Sequence, residues 1–118
     1  MSQVYNIKHY DDAIKTMNTL YNEVINNAYT DRKNMVKKLE EHESIVEKWK
    51  LPNCQGYYVW SFLVCLENYV WANNIEDLKE AEMYYDSVKT SYKHYKNNTW
   101  KNVECIQIDG DIYEAVRK

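Results

Sequence analysis

A chain of 118 residues with 45% hydrophobic content fits one domain, and at this length folding buries roughly two-thirds of the unfolded surface. Two glycines (Gly56, Gly110) and one proline (Pro52) are too few for a many-turned β-sandwich, and the apolar content is too high for a disordered chain. A formal net charge of −3 gives no bulk attraction for nucleic acid or an anionic membrane, so either partner would need a local basic patch.

Along the chain, Tyr10, Ile14, Met17, Tyr21, Val24 and Ala28 recur at steps of four and three, which predicts a helix over 10–29 with Asp11 as its N-cap. Thr30 to Asn34 breaks that phase, and Met35, Leu39, His42, Val46 and Trp49 restart it over 31–50. One long helix with a shifted buried face would also fit. Two helices, the second capped by Asp31, are the preferred expectation.

Leu51 to Gly56 is a loop, because Pro52 ends the helix before it and Gly56 relaxes the backbone after it. From Tyr57 to Ala72 only Ser61, Glu67 and Asn68 are polar, so this segment reads as the central, buried helix without a solvent face. It is too short and interrupted for a membrane span, which needs about 20 apolar residues. Asn73 and Asn74 then stop one helix and cap the next. Leu78, Ala81, Tyr85, Val88, Tyr92 and Tyr95 carry a helix over 75–96, acidic at its start and basic at its end as the helix dipole favours.

The tail changes period. Val103 to Ile108 and Asp111 to Val116 are β-leaning around an Asp109-Gly110 turn, so a hairpin over 102–117 is expected, with Ile106 facing Tyr113 and Val103 facing Val116. Such a hairpin is marginal alone and must rest on the helices or pair with another chain. The predicted fold is therefore mainly α: a small bundle of three to four helices with a short C-terminal β-hairpin, in one domain over 1–118.

Cys54, Cys65 and Cys105 cannot all pair within one chain, lack C-x-x-C spacing and are preceded by no leader-like segment. A thiol-bearing, cytoplasmic protein is expected, in the host cell's cytoplasm if a phage or virus encodes it. Thirteen Asn, 13 Lys, 12 Tyr and 8 Ile, with Lys outnumbering Arg 13 to 2, indicate an AT-rich coding sequence.

His9, His42 and His94 fall in different helical regions, and neither H-E-x-x-H nor E-x-x-H occurs, so no metal ligands and no cofactor are expected. His42 is read as a core or boundary histidine. Ser61 and Cys65 share a helix face but have no His or Asp neighbour in sequence, so neither is taken as a nucleophile and no catalytic residue is assigned.

Glu40 and Glu43 form an E-x-x-E, and Glu82 with Asp86 an i, i+4 pair. The first resembles the E-x-x-E of all-α nucleoside-triphosphate pyrophosphatases, but the second departs from their E-x-x-D. Lys89 to His94 has the spacing of the R-x4-6-H motif of HEPN-type ribonucleases with Lys in place of Arg, and that activity is not carried over. A Mg²⁺-dependent nucleotide hydrolase or ribonuclease using Glu40, Glu43, Glu82, Asp86 or His94 is the enzyme alternative. Solvated helix faces are the preferred reading.

For single-stranded nucleic acid, Lys89, Lys93, Lys96 and Lys101 interleave with Tyr92, Tyr95 and Trp100. The tyrosines already lie on the core stripe, so nucleic acid is not the favoured partner. The remaining signal is the aromatic load of 12 Tyr and 4 Trp, since these residues contribute most at protein interfaces. Tyr5 and Tyr29 lie off the stripes, as do the residues expected at an interface: Tyr57, Tyr58, Tyr84 and Trp100, with Ile108 and Tyr113 of the hairpin. The functional expectation is a non-catalytic protein-binding module, with homodimerisation as one form of it. A phage- or mobile-element-encoded inhibitor of a host or defence protein fits this size and composition, and an immunity or antitoxin protein is the alternative within the same class.

Overall fold

The computed structural model describes residues 7–49, 51, 54–97, 103–108 and 111–116. Among the described residues the chain forms four helices: α1 (Ile7–Ile25), α2 (Arg32–Val46), α3 (Gln55–Ala72) and α4 (Ile75–Lys96). After them the backbones of β1 (Val103–Ile108) and β2 (Asp111–Val116) run antiparallel. The turn expected at Asp109-Gly110 lies outside the described residues.

Local chemistry explains where the helices stop. The preference for two helices before residue 50 holds, but the turn comes earlier than the break at 30–34. Asn27 adopts a left-handed φ of 51° just past α1, a conformation that Asn tolerates better than most residues. Asp31 caps α2 as expected, its Oδ1 accepting from the backbone N–H groups of Lys33 and Asn34 at 2.8 and 3.2 Å. A cap of this kind contributes about 1 kcal/mol.

At the next junction Asn73 is left-handed at 55° and donates its N–H to the Tyr69 carbonyl. Asn74 then accepts from the Glu76 N–H through its side chain at 3.0 Å. One cap expectation fails. Because α1 starts at Ile7, Asp11 sits inside the helix, and its carboxylate accepts a hydrogen bond from the Tyr92 hydroxyl at 3.0 Å.

The core follows the helical stripes. Tyr10, Ala13, Met17, Leu20 and Val24 are buried on α1, Met35, Val36, Leu39 and Val46 on α2, and Leu78, Ala81 and Val88 on α4. Into them α3 sends Tyr58, Val59, Phe62, Leu63, Cys65, Leu66 and Val70, and it alone packs extensively on each of the other three helices. It is central as expected.

The expectation that α3 lacks a solvent face is corrected. Three neighbouring helices do not close around a fourth, and on the open side Trp60 remains 43% and Trp71 53% exposed. Cys54 is buried and disulfide-bonded, while Cys65 is a buried free thiol, so the three cysteines do not all pair. No helix among the described residues is long and apolar enough to cross a membrane.

Candidate functional site

The open side of α3 is built by one helical stripe. Trp60, Val64, Glu67 and Trp71 follow one another at steps of four, three and four on one stripe, of which the two tryptophans stand in solvent while Val64 and Glu67 between them are half-buried. The two tryptophans stand about 16 Å apart along the axis at 1.5 Å per residue. Beyond Trp71 the corner into α4 exposes Ile75, 52% accessible.

At the other end of this face α2 and α3 enclose a groove of about 390 Å³. Glu43, Val46, Glu47 and Trp49 line it from α2 and the residues after it, and Gly56, Tyr57 and Trp60 line it from α3. Trp49 and Tyr57 are held against the core, and the Tyr57 and Trp60 rings lie 6.1 Å apart at 31°. A side chain at Gly56 would point into open space, since nothing lies within 4 Å of where its Cβ would be.

Beside the groove, Glu43 hydrogen-bonds Glu67 across the α2–α3 seam. Glu67 Oε2 is buried with no donor facing it, and a second carboxylate beside it disfavours its ionised form. Burial first, then the bond to Glu43 and the charges of Glu43 and Glu40, push the Glu67 carboxyl up to about 8. Among the described residues no Lys, Arg or His forms an ion pair with Glu40, Glu43, Glu47 or Glu67.

The other half of the enzyme alternative lies elsewhere. Glu82 accepts a hydrogen bond from Tyr21 of α1, and Asp86 pairs with Lys89 on α4 at 3.4 Å. Burial, followed by Glu82, raises the Tyr21 phenol to about 12. Glu40 and Glu43 are thus joined by Glu67, a residue that sequence reasoning did not pair with them, and His94 is exposed on α4. Among the described residues no group of three or more His, Cys, Asp or Glu is placed to hold a metal ion.

His42 is half-buried with a buried Nδ1 that has no partner, and burial, then Lys38, lowers its pKa from the ordinary value. Ser61 is buried, and the Cys65 thiol lies 3.7 Å from Glu80. Burial, then Glu80, pushes that thiol up to about 12, so it carries no thiolate at neutral pH.

The residues expected at a protein interface divide. Tyr57 lines the groove, but Tyr58 is 9% exposed and its ring lies 5.7 Å from that of half-buried Tyr84. Tyr58 is therefore a core residue. Its position next to Tyr57 turns it by about 100° on the helix, from the rim to the interior. Tyr29 is likewise packed on the core. Tyr5 and Trp100 lie outside the described residues, as do the side chains of Ile108 and Tyr113.

Of the lysines proposed for nucleic acid, Lys89 lies over the Tyr85 ring at 4.4 Å and Lys96 over Tyr92 at 5.5 Å. Lys93 and Lys96 do share a hollow of about 350 Å³ with Tyr92 and Asn97. Tyr92 faces inward, however, with its ring 5.0 Å from Tyr10 and its hydroxyl on Asp11. Lys101 lies outside the described residues.

Among the described residues the architecture is a four-helix bundle with aromatic and acidic residues on one face. No protein-family model, curated protein or solved structure matches the chain.

Proposed function

We propose that this chain is a non-catalytic protein-binding module whose partner seats on the open side of α3. The observation that carries the reading is a mismatch. A helix as predominantly apolar as α3 is normally buried on all sides, yet α3 leaves Trp60 and Trp71 in solvent on one stripe. Exposed tryptophans on a rigid helix are the residue type that anchors interfaces most strongly.

The C-terminal hairpin belongs to the same proposal. A register with Ile106 opposite Tyr113 and Val103 opposite Val116 supports it, and a two-stranded ribbon needs a surface to rest on. Small size and AT-rich composition support assignment to the phage- or mobile-element-encoded inhibitors. The gene neighbourhood separates that class from immunity and antitoxin proteins.

Site-specific photo-crosslinking tests the reading in lysate of the cells in which the chain is made. A photoreactive residue at Val64 or Asn68 is expected to yield an adduct of discrete mass, lost when Trp71→Ser is added. The same probe at Lys15 or Lys79, exposed on other helices, is expected to give none. Absence of any face-specific adduct, with nucleotide turnover on adding Mg²⁺, would replace this reading by the enzyme alternative.

A further inference from the structure

The groove between α2 and α3 combines two chemistries. It is lined by the aromatic residues Trp49, Tyr57 and Trp60 and by the acidic residues Glu43 and Glu47. Its volume of about 390 Å³ lies within the roughly 300–1,000 Å³ of ligand pockets. Aromatic faces attract cations through the ring quadrupole, and carboxylates select a cation that can offer two parallel N–H groups.

Helix ends do not set the sign of the groove. The negative pole of α2 and the positive pole of α3 meet at the same rim and offset each other, which leaves the charge to Glu43 and Glu47.

We infer that this groove receives an arginine side chain from a basic segment of the partner protein, its guanidinium lying against Tyr57 and Trp60 and facing Glu43 and Glu47. The inference rests on the protein-binding reading and specifies the chemistry of the partner. Charge complementarity selects this occupant. Among the described residues no Lys, Arg or His forms an ion pair with Glu43 or Glu47, which leaves their charge for an incoming cation to meet.

A second copy of the chain is a poorer occupant. A two-fold dimer across this face sets carboxylates against carboxylates. Insertion of the basic end of α4 into the groove of the next copy gives a head-to-tail contact that does not close. Arginine is preferred to lysine because its planar group stacks on the rings while donating bidentately.

The test is fluorescence anisotropy on the full chain, with three labelled peptides in which Gly-Ser spacers alternate with Arg, Lys or Glu. The arginine peptide is expected to bind, the lysine peptide several-fold more weakly and the glutamate peptide not at all. Glu43→Gln combined with Glu47→Gln should weaken arginine-peptide binding about tenfold or more.

Gly56→Leu should do the same by filling the groove. This second variant keeps the test independent of lost charge, and open space at Gly56 together with the better helix propensity of Leu preserves the fold. No binding of the arginine peptide, equal binding of the lysine peptide, or survival within twofold in either variant overturns the inference. A face-specific crosslinked adduct alongside any of these results leaves the protein-binding module standing and removes only the arginine pocket. Loss of the adduct removes the wider reading on its own evidence.

Discussion

Phe62→Ala is expected to cost about 3–5 kcal/mol and to lower the unfolding midpoint by roughly 15 °C. Phe62 is fully buried on the one helix that packs extensively on all three others, and its ring stands 6.0 Å from that of Tyr85 on α4. Truncation removes the apolar contact and leaves a cavity bordered by helices that cannot all move inward together. Since domains of this size are stable by only about 5–15 kcal/mol, the loss is a large share of the total. Thermal unfolding followed by circular dichroism checks the result, with Trp71→Ala as the comparison. That exposed residue should shift the midpoint by no more than about 2 °C. Equal shifts for the two variants would mean that α3 is not the hub of the core.

The second large effect concerns pH. Glu67, raised to about 8, keeps its proton in the folded chain across a range where the unfolded chain, with an ordinary value of 4.5, has lost it. The folded state therefore binds more protons between these values, and stability falls as pH rises from about 4.5 towards 8. Taken without screening, the shift corresponds to several kcal/mol, but Glu67 is only half-buried, and solvent reduces this to about 1–2 kcal/mol.

Glu67→Gln preserves the hydrogen bond to Glu43 without a titrating proton, so its unfolding midpoint should exceed that of the wild type by roughly 5 °C at pH 8 and match it near pH 4.5. His42 acts in the opposite sense. Its lowered pKa gives stability that is present above the ordinary 6.5 and lost as pH falls, a slope that Glu67→Gln leaves unchanged. Parallel midpoint curves for wild type and variant between pH 4.5 and 8 would refute the raised Glu67 carboxyl.

The helices were legible in the sequence because their apolar residues repeat at helical spacing and their boundaries carry chemistry of their own. Asp31, Asn73 and Asn74 act at helix ends as their residue types suggest. The end of α1 was placed late because Asn27, not a glycine, supplies the left-handed residue, and a lone Asn in an Asn-rich chain is a faint signal.

The face of α3 was missed for a different reason. Hydrophobic periodicity separates inside from outside only where polar residues mark the outside, and a partner-binding face is itself apolar. One sequence signal did exist. Glu67 and Asn68 are adjacent polar residues, and the stripe through Glu67 at steps of four, three and four runs to Trp60 and Trp71. The seam between Glu43 and Glu67 was not legible, because it depends on how α2 lies against α3, which no spacing within either helix encodes.

The unequal support of the helices governs how the domain breathes. α3 is held by three neighbours, whereas α2 packs mainly on α3 and is tied to α1 by the Lys38–Glu23 ion pair at 2.8 Å. Its amides should exchange with solvent as a group, through local opening that leaves the α1–α3–α4 unit folded. Since the acid-rimmed groove spans the α2–α3 seam, a ligand seated there would latch the least-secured helix in place. Recognition would then be read out as slowed exchange throughout α2, far beyond the residues that the ligand touches.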